Sequence, residues 1–258
     1  MAIDPRDPDE LAFLAAYDAS AYPHPSVAVD VVLLTVAGGG IRTLLLRRSR
    51  QPQLGRWAAP GGFVGIDESL DDAAGRVLAT KAGLEDVFTE QLYTFGDPRR
   101  DSRTRVISVV YYALVDADRL DRAIGSRGDT ELALADLVCP PDGEEGTTGT
   151  DWRLEARDET GAALPLAFDH AQILATAVER IRGKLDYAPI GFELLPRTFT
   201  LRDLRLVHEA ILGHPLNKDS FRRKVQDRGL VVATGEHLEG VGHRPPELYR
   251  FARRREAS

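Results

Sequence analysis

The chain has 258 residues, 43% hydrophobic and 28% charged, the composition of an ordinary globular protein with apolar area enough for two cores. Its net charge of −7 hides an asymmetry: residues 181–258 carry 15 Lys+Arg against 10 Asp+Glu, a surplus of +5, leaving 18 against 30, or −12, for residues 1–180. The single cysteine, Cys139, excludes an intramolecular disulfide and a thiolate metal cage, while the acidic, proline-containing residues 1–10 and the short apolar runs 31–36 and 44–46 argue against a secretory leader and a membrane span and point to the cytoplasm.

Residues 4–17, with Leu11, Phe13 and Leu14, predict a short helix. Residues 27–36 and 41–47 flank Ala37-Gly38-Gly39-Gly40, whose glycines supply positive φ, and predict a hairpin. Residues 69–82 predict a helix capped by Ser69, with Asp71 and Asp72 in its first turn and Gly83 at its end. Strands are expected at 91–95 and 106–115 and a short element at 130–138, where Leu137 and Val138 suggest that Cys139 is buried. Residues 140–150, PPDGEEGTTGT, are the strongest loop signal, and 152–156 with 162–166 predict a second hairpin. From Asp169 the period becomes helical, with Ile173, Leu174, Ala177, Val178 and Ile181 on one stripe as far as about Leu185, followed by a hinge at 186–196. Thr200 caps a helix that buries Leu201, Leu204, Val207, Ile211 and Leu212 and stops at Gly213; Asn217 caps a short basic helix, 218–228, ended by Gly229. Residues 230–233 and 247–251 read as strands around a glycine-rich loop, completing the order of a winged helix-turn-helix.

Within the first half, residues 57–84 resemble the Nudix box. Gly62, Glu68, Arg76, Leu78, Gly83 and Leu84 fall at its spacings, and Trp57 and Pro60-Gly61-Gly62-Phe63 precede it as in that family. The resemblance implies an α+β fold: an N-terminal Nudix α/β/α sandwich with a mixed sheet over 1–168, ahead of a C-terminal winged helix-turn-helix over 169–258. In hydrolases of the family three glutamates, spaced i, i+3 and i+4 on one helix face, hold divalent cations; here they are Val77, Thr80 and Lys81. Valine cannot ligate a hard cation, an ammonium repels one, and Glu68 alone cannot replace several carboxylates. The expectation is a domain without catalytic residues or metal that binds what it does not cut.

Main-chain N–H groups near Gly61 and Gly62 can approach phosphates. The expected ligand contacts are Arg47, Trp57, Gly61, Gly62, Phe63, Glu68 and Lys81, joined by Arg99, Asp101 and Arg105 from residues 96–106, which resemble the segment after the box in ADP-ribose-type Nudix proteins. Alternatives stay open: Lys81 either replaces a metal's charge or is solvated, Trp57 either stacks on a base or packs in the core, and 96–106 either binds phosphate or is a charged surface hairpin. Arg76 is expected to pair with Glu68 as scaffold.

In the second half, residues 196–201, 209–213, 217–224 and 243–249 resemble the NrtR family, Nudix-related transcriptional regulators of NAD metabolism, and this resemblance spans nearly the whole chain. Phe221 and Val225 should face the core, leaving Lys218, Ser220, Arg222, Arg223 and Lys224 for phosphates and base edges, with Thr198 and Thr200 beside them and His243 and Arg244 at a wing tip. The other reading of the basic helix is a solvated face of a protein-interaction module. The scattered histidines predict no zinc. The resemblance implies a homodimer on a pseudo-palindromic operator, with half-sites about 34 Å apart. It also implies a repressor of NAD biosynthesis or salvage genes, controlled by ADP-ribose or a related NAD metabolite and requiring no cofactor. The rivals are a metal-dependent ADP-ribose pyrophosphatase whose C-terminal module dimerises, and a Nudix-type regulator with a sugar inducer.

Overall fold

The computed structural model describes residues 7–125, 132–138, 154–185, 190–238 and 245–252. The predicted hairpin forms from β1 (Ser26–Ala37) and β2 (Gly40–Arg47), reversed at Gly38 and Gly39 with φ of 62° and 82°, a region glycine enters without strain. Short strands β3 (Trp57–Ala58) and β4 (Gly61–Phe63) pair with β2 and β1, and β5 (Glu90–Phe95), β6 (Val106–Leu114), β7 (Leu132–Val138) and β8 (Glu155–Arg157) complete a sheet of order β5-β6-β1-β2-β7-β8. β1 runs parallel to β6 and antiparallel to β2, so the sheet is mixed.

The near-continuous apolar run of β1 is explained by burial on both faces. Val29, Val31 and Leu33 pack with Ala73, Ala74 and Val77 of α2 (Leu70–Val77) and Leu120 of α3 (Ala117–Gly125). Val32 and Leu34 face the other way, against Ile173, Leu174, Ala177, Val178 and Ile181 of α4 (His170–Lys184). This is the expected α/β/α sandwich. Leu33, Leu34, Leu44 and Leu45 are fully buried at its centre, each worth about 1.5–3 kcal/mol of apolar burial.

Four local features differ from expectation. The helix expected over 69–82 is α-helical only to Val77; Leu78–Ala82 is a π-helical turn closed by Gly83 at φ 69°. The wider turn keeps both Leu78 and Ala82 in the core. Helix α3, only nine residues long, was not expected; it is held by Leu120 and Ala123. The strand expected over 162–166 is reduced to bridges at Ala163 and Leu166, since Pro165 has no N–H to offer a ladder. The expected domain boundary after residue 168 assigns α4 to the C-terminal module, whereas its apolar stripe closes the second face of the sandwich. Cys139, the loop 140–150 and Trp152 lie outside the described residues.

Beyond a 3-10 turn at Ile190–Leu194, α5 (Leu201–Leu212), α6 (Lys218–Asp227) and the hairpin β9 (Val231–His237) and β10 (Glu247–Phe251) form the winged helix. Phe192, Phe199, Leu204, Phe221, Val225 and Tyr249 are its core. Further along the same apolar face of α5, Val207 and Ile211 join the cluster that contains α4. Helix α1 (Pro8–Ala16), capped by Asp7, buries none of its residues. Among the described residues no helix is long and apolar enough to cross a membrane.

Candidate functional site

Where β1, β4, the end of β2, the π turn and the segment 100–103 converge, they enclose a cleft of about 480 Å³. Asp30, the one charged residue of β1, lies at its base, accepts a 2.5 Å hydrogen bond from Ser108 Oγ and sits 3.8 Å from Arg100 Nη2. Gly61 has to be glycine: a Cβ there would lie 1.9 Å from Asp30 Oδ1 and 3.1 Å from the Val29 carbonyl oxygen. Lys81, carried on the π turn, reaches across to donate to the Gly61 carbonyl at 2.5 Å. Burial draws its pKa down while the Asp30 carboxylate opposes the shift.

The far wall is cationic and aromatic. Arg100 is buried and paired in bidentate fashion with Asp169, both contacts 2.8 Å, the strong planar form of the interaction. Asp169 is the N-cap position of α4 but gives its side chain to Arg100, making no hydrogen bond to the helix. Next to it His170 is buried with Nδ1 accepting from the Ala59 N–H at 3.3 Å, and desolvation lowers its pKa, so it is a neutral imidazole. Arg103 holds Asp101 through two side-chain contacts of 3.0 and 2.7 Å, keeping that carboxyl below its usual range, and lies 5.4 Å over the Phe63 ring. Arg48 lies 4.7 Å over the Phe168 ring.

Of the residues expected to contact ligand, the cleft is lined by Arg47, Gly61, Gly62, Phe63, Lys81 and Asp101. Trp57, Glu68, Arg99 and Arg105 are not among its lining residues. Trp57 is packed against the core beneath β3, the other of its two readings. Glu68 is locked into the loop by Arg76, at 2.6 and 2.7 Å, and by the Gly65 N–H. Arg105 turns back to the Gly96 carbonyl, and the Arg99 side chain is 92% exposed. Of the arginines in this segment Arg100 and Arg103 line the cleft instead, a difference of side-chain direction that a turn without periodicity does not show in sequence. Arg48, Phe168 and His170 were also missed. Asp30 had a readable signal, a carboxylate inside a buried apolar strand.

A Nudix fold implies a divalent cation, and the residues present do not fit one. Val77 is fully buried in the core, the Thr80 hydroxyl donates to the Arg76 carbonyl, Lys81 brings a positive charge, and both oxygens of Glu68 are taken by Arg76. Among the described residues no group of three or more His, Cys, Asp or Glu is placed to hold a metal.

In the winged helix, α6 buries Phe221 and Val225 and exposes Lys218, Ser220, Arg222, Arg223 and Lys224. Thr198 is exposed. Thr200, expected at the DNA, is buried, and its hydroxyl is committed to a capping box with Asp203. His243 and Arg244 lie outside the described residues.

Comparison with known proteins matches residues 191–251 to the NrtR DNA-binding winged helix domain and residues 24–143 to the NUDIX domain. The chain is 35% identical over 245 residues to the ADPR responsive transcriptional repressor NtrR of Acinetobacter baylyi, covering 94% of this chain and 88% of that protein. It is 36% identical over 90 residues, 35% of this chain and 51% of the relative, to an ADP-ribose pyrophosphatase of Methanocaldococcus jannaschii. The crystal structure of Shewanella oneidensis NrtR complexed with a 27mer DNA matches with a TM-score of 0.67 at 33% identity, over 88% of this chain and 93% of that one. With both domains in the same order and a regulator matched over almost its full length, the chain belongs to the NrtR family of Nudix-related winged-helix transcriptional regulators.

Proposed function

We propose that this chain is a DNA-binding repressor of NAD biosynthesis or salvage genes, whose Nudix cleft binds ADP-ribose or a related NAD metabolite without hydrolysing it. The observation that carries the reading is the pairing of two features: a cleft of about 480 Å³ lined by Lys81, Arg48, Arg100 and Arg103, and a helix, α6, whose exposed residues include four basic side chains. The name of the A. baylyi relative supports ADP-ribose as the effector. The protein acts as a cytoplasmic homodimer on a pseudo-palindromic operator, each α6 in a major groove and the wings beside it. Its working division falls between α4, which belongs to the sensing body, and the winged helix from Ile190 onward.

Ligand control requires a difference in affinity between the DNA-competent and incompetent arrangements, not tight binding as such. The test is a gel shift of the full-length protein on DNA upstream of its own gene and its neighbours, with and without ADP-ribose. A shifted band that ADP-ribose removes supports the reading; no retardation at any site sinks it. The similarity to the M. jannaschii pyrophosphatase favours the hydrolytic rival, and incubation of ADP-ribose with Mg²⁺ or Mn²⁺ decides against that rival if no AMP appears. Calorimetric titration with simple pentoses beside ADP-ribose separates a sugar inducer from a nucleotide one.

A further inference from the structure

Lys81 lines the cleft while remaining partly exposed to solvent. Its Nζ donates to the Gly61 carbonyl oxygen at 2.5 Å. The Asp30 carboxylate lies against the same glycine, close enough that a Cβ on Gly61 would be 1.9 Å from Oδ1. A main-chain carbonyl and a carboxylate side by side are the oxygen donors a hard divalent ion uses, and an ammonium is bound to the first of them. The acids of the cleft are already matched by protein groups: Asp101 by Arg103, and Asp30 by the Ser108 hydroxyl with Arg100 at 3.8 Å. Nothing in that arrangement is left to draw a metal in, and Lys81 repels one.

We infer that Lys81 is a resident cation, standing where a divalent ion would stand and meeting the diphosphate of the ligand directly, so that the effector is bound without any divalent metal. The inference rests on the proposed function, since it assigns the chemistry of the same cleft. A flexible lysine suits the role because its ammonium is a compact point charge with three donors, one of which is on Gly61. The ligand class that follows is a nucleoside diphosphate derivative free of Mg²⁺.

The experiment is calorimetric titration of the full-length protein with ADP-ribose, once in excess EDTA and once in excess Mg²⁺, for the wild type and for Lys81→Met and Lys81→Glu. The wild-type Kd is expected to be the same in both buffers. Lys81→Met should weaken binding about 10- to 100-fold in both, the loss of a hydrogen bond to a charged group. Lys81→Glu should abolish binding in both buffers, because its carboxylate repels the diphosphate and the other acids of the cleft are already paired. Retained operator binding and an unchanged thermal melt show that each variant is folded. Wild-type binding that needs Mg²⁺, or a Lys81→Met protein that binds as tightly as wild type, overturns the inference while leaving ADP-ribose as the effector. A wild type that binds no ADP-ribose in either buffer removes the proposed effector and the role of Lys81 with it.

Discussion

Glu68 accepts hydrogen bonds from Arg76 at 2.6 and 2.7 Å and from the Gly65 N–H at 3.0 Å, which hold its carboxyl at about 2. Because the folded value is depressed, the stabilisation is complete above the unfolded value of about 4.3 and is lost as pH falls from there through the folded value. A carbon-detected NMR titration should therefore find Glu68 still ionised at about pH 3, below the ordinary glutamate range, and Arg76→Ala should return it to that range. At this scale the sequence was legible where spacing carried the information. The Nudix pattern pairs Glu68 with Arg76 and marks Val77, Thr80 and Lys81 as positions without carboxylates. It was illegible where a side chain's direction depends on a turn: Arg100 and Arg103 differ from Arg99 and Arg105 only in which way the segment between β5 and β6 bends. Asp169 and His170 were read only as the start of a helix, although their contacts to Arg100 and Ala59 come from residues far away in the chain.

Helix α4 connects two parts of the molecule that matter to function. At its first turn His170 lines the cleft and Asp169 is held by Arg100; at its last turn Arg182 Nε donates to the Ile211 carbonyl near the end of α5, at 2.8 Å. Its 15 residues span about 22 Å as a straight rod. The helix therefore offers a packed connection between Arg100 and α5, whose role in coupling is tested at its far end. Arg182→Ala is expected to leave the ADP-ribose Kd of the free protein unchanged and to shrink whatever factor ADP-ribose imposes on operator affinity, measured by fluorescence anisotropy of labelled DNA. An unchanged factor removes α4 from the route. Thr200→Ala tests a different element: with the capping box of α5 lost, stability should fall by about 1 kcal/mol, in the range of roughly 0.5–2, in urea denaturation. Long periodic elements such as α4 and α5 were readable because their apolar stripes repeat several times. The nine-residue α3 and the π turn were not, since the first buries only Leu120 and Ala123 and the second depends on how Leu78 and Ala82 fit beneath the sheet.

The whole molecule presents an acidic body, −12 over residues 1–180, and a basic end, +5 over 181–258. That polarity orients it on DNA, with α6 toward the phosphates and the body held away from them. Lys218, Arg222, Arg223 and Lys224 are all exposed on α6, and salt dependence sorts them by role. For a residue that only neutralises a phosphate, alanine replacement should weaken binding equally on all sequences and reduce the slope of log K against log salt by about 0.9. For one that reads a base edge, the same replacement should cost about 1–3 kcal/mol on the operator alone and relax the preference at one base pair. Thermodynamic reciprocity constrains the ligand side with equal force: if ADP-ribose lowers operator affinity by some factor, saturating operator must weaken ADP-ribose binding by that same factor. Anisotropy titrations of DNA at several ADP-ribose concentrations give the first number, and calorimetry of ADP-ribose into the preformed protein–operator complex gives the second. Agreement closes the cycle for a single nucleotide site linked to the operator, whatever the route that joins cleft and wing. Two clearly different factors mean that a single linked site does not account for both titrations, as when the nucleotide also competes with DNA for the basic face of α6.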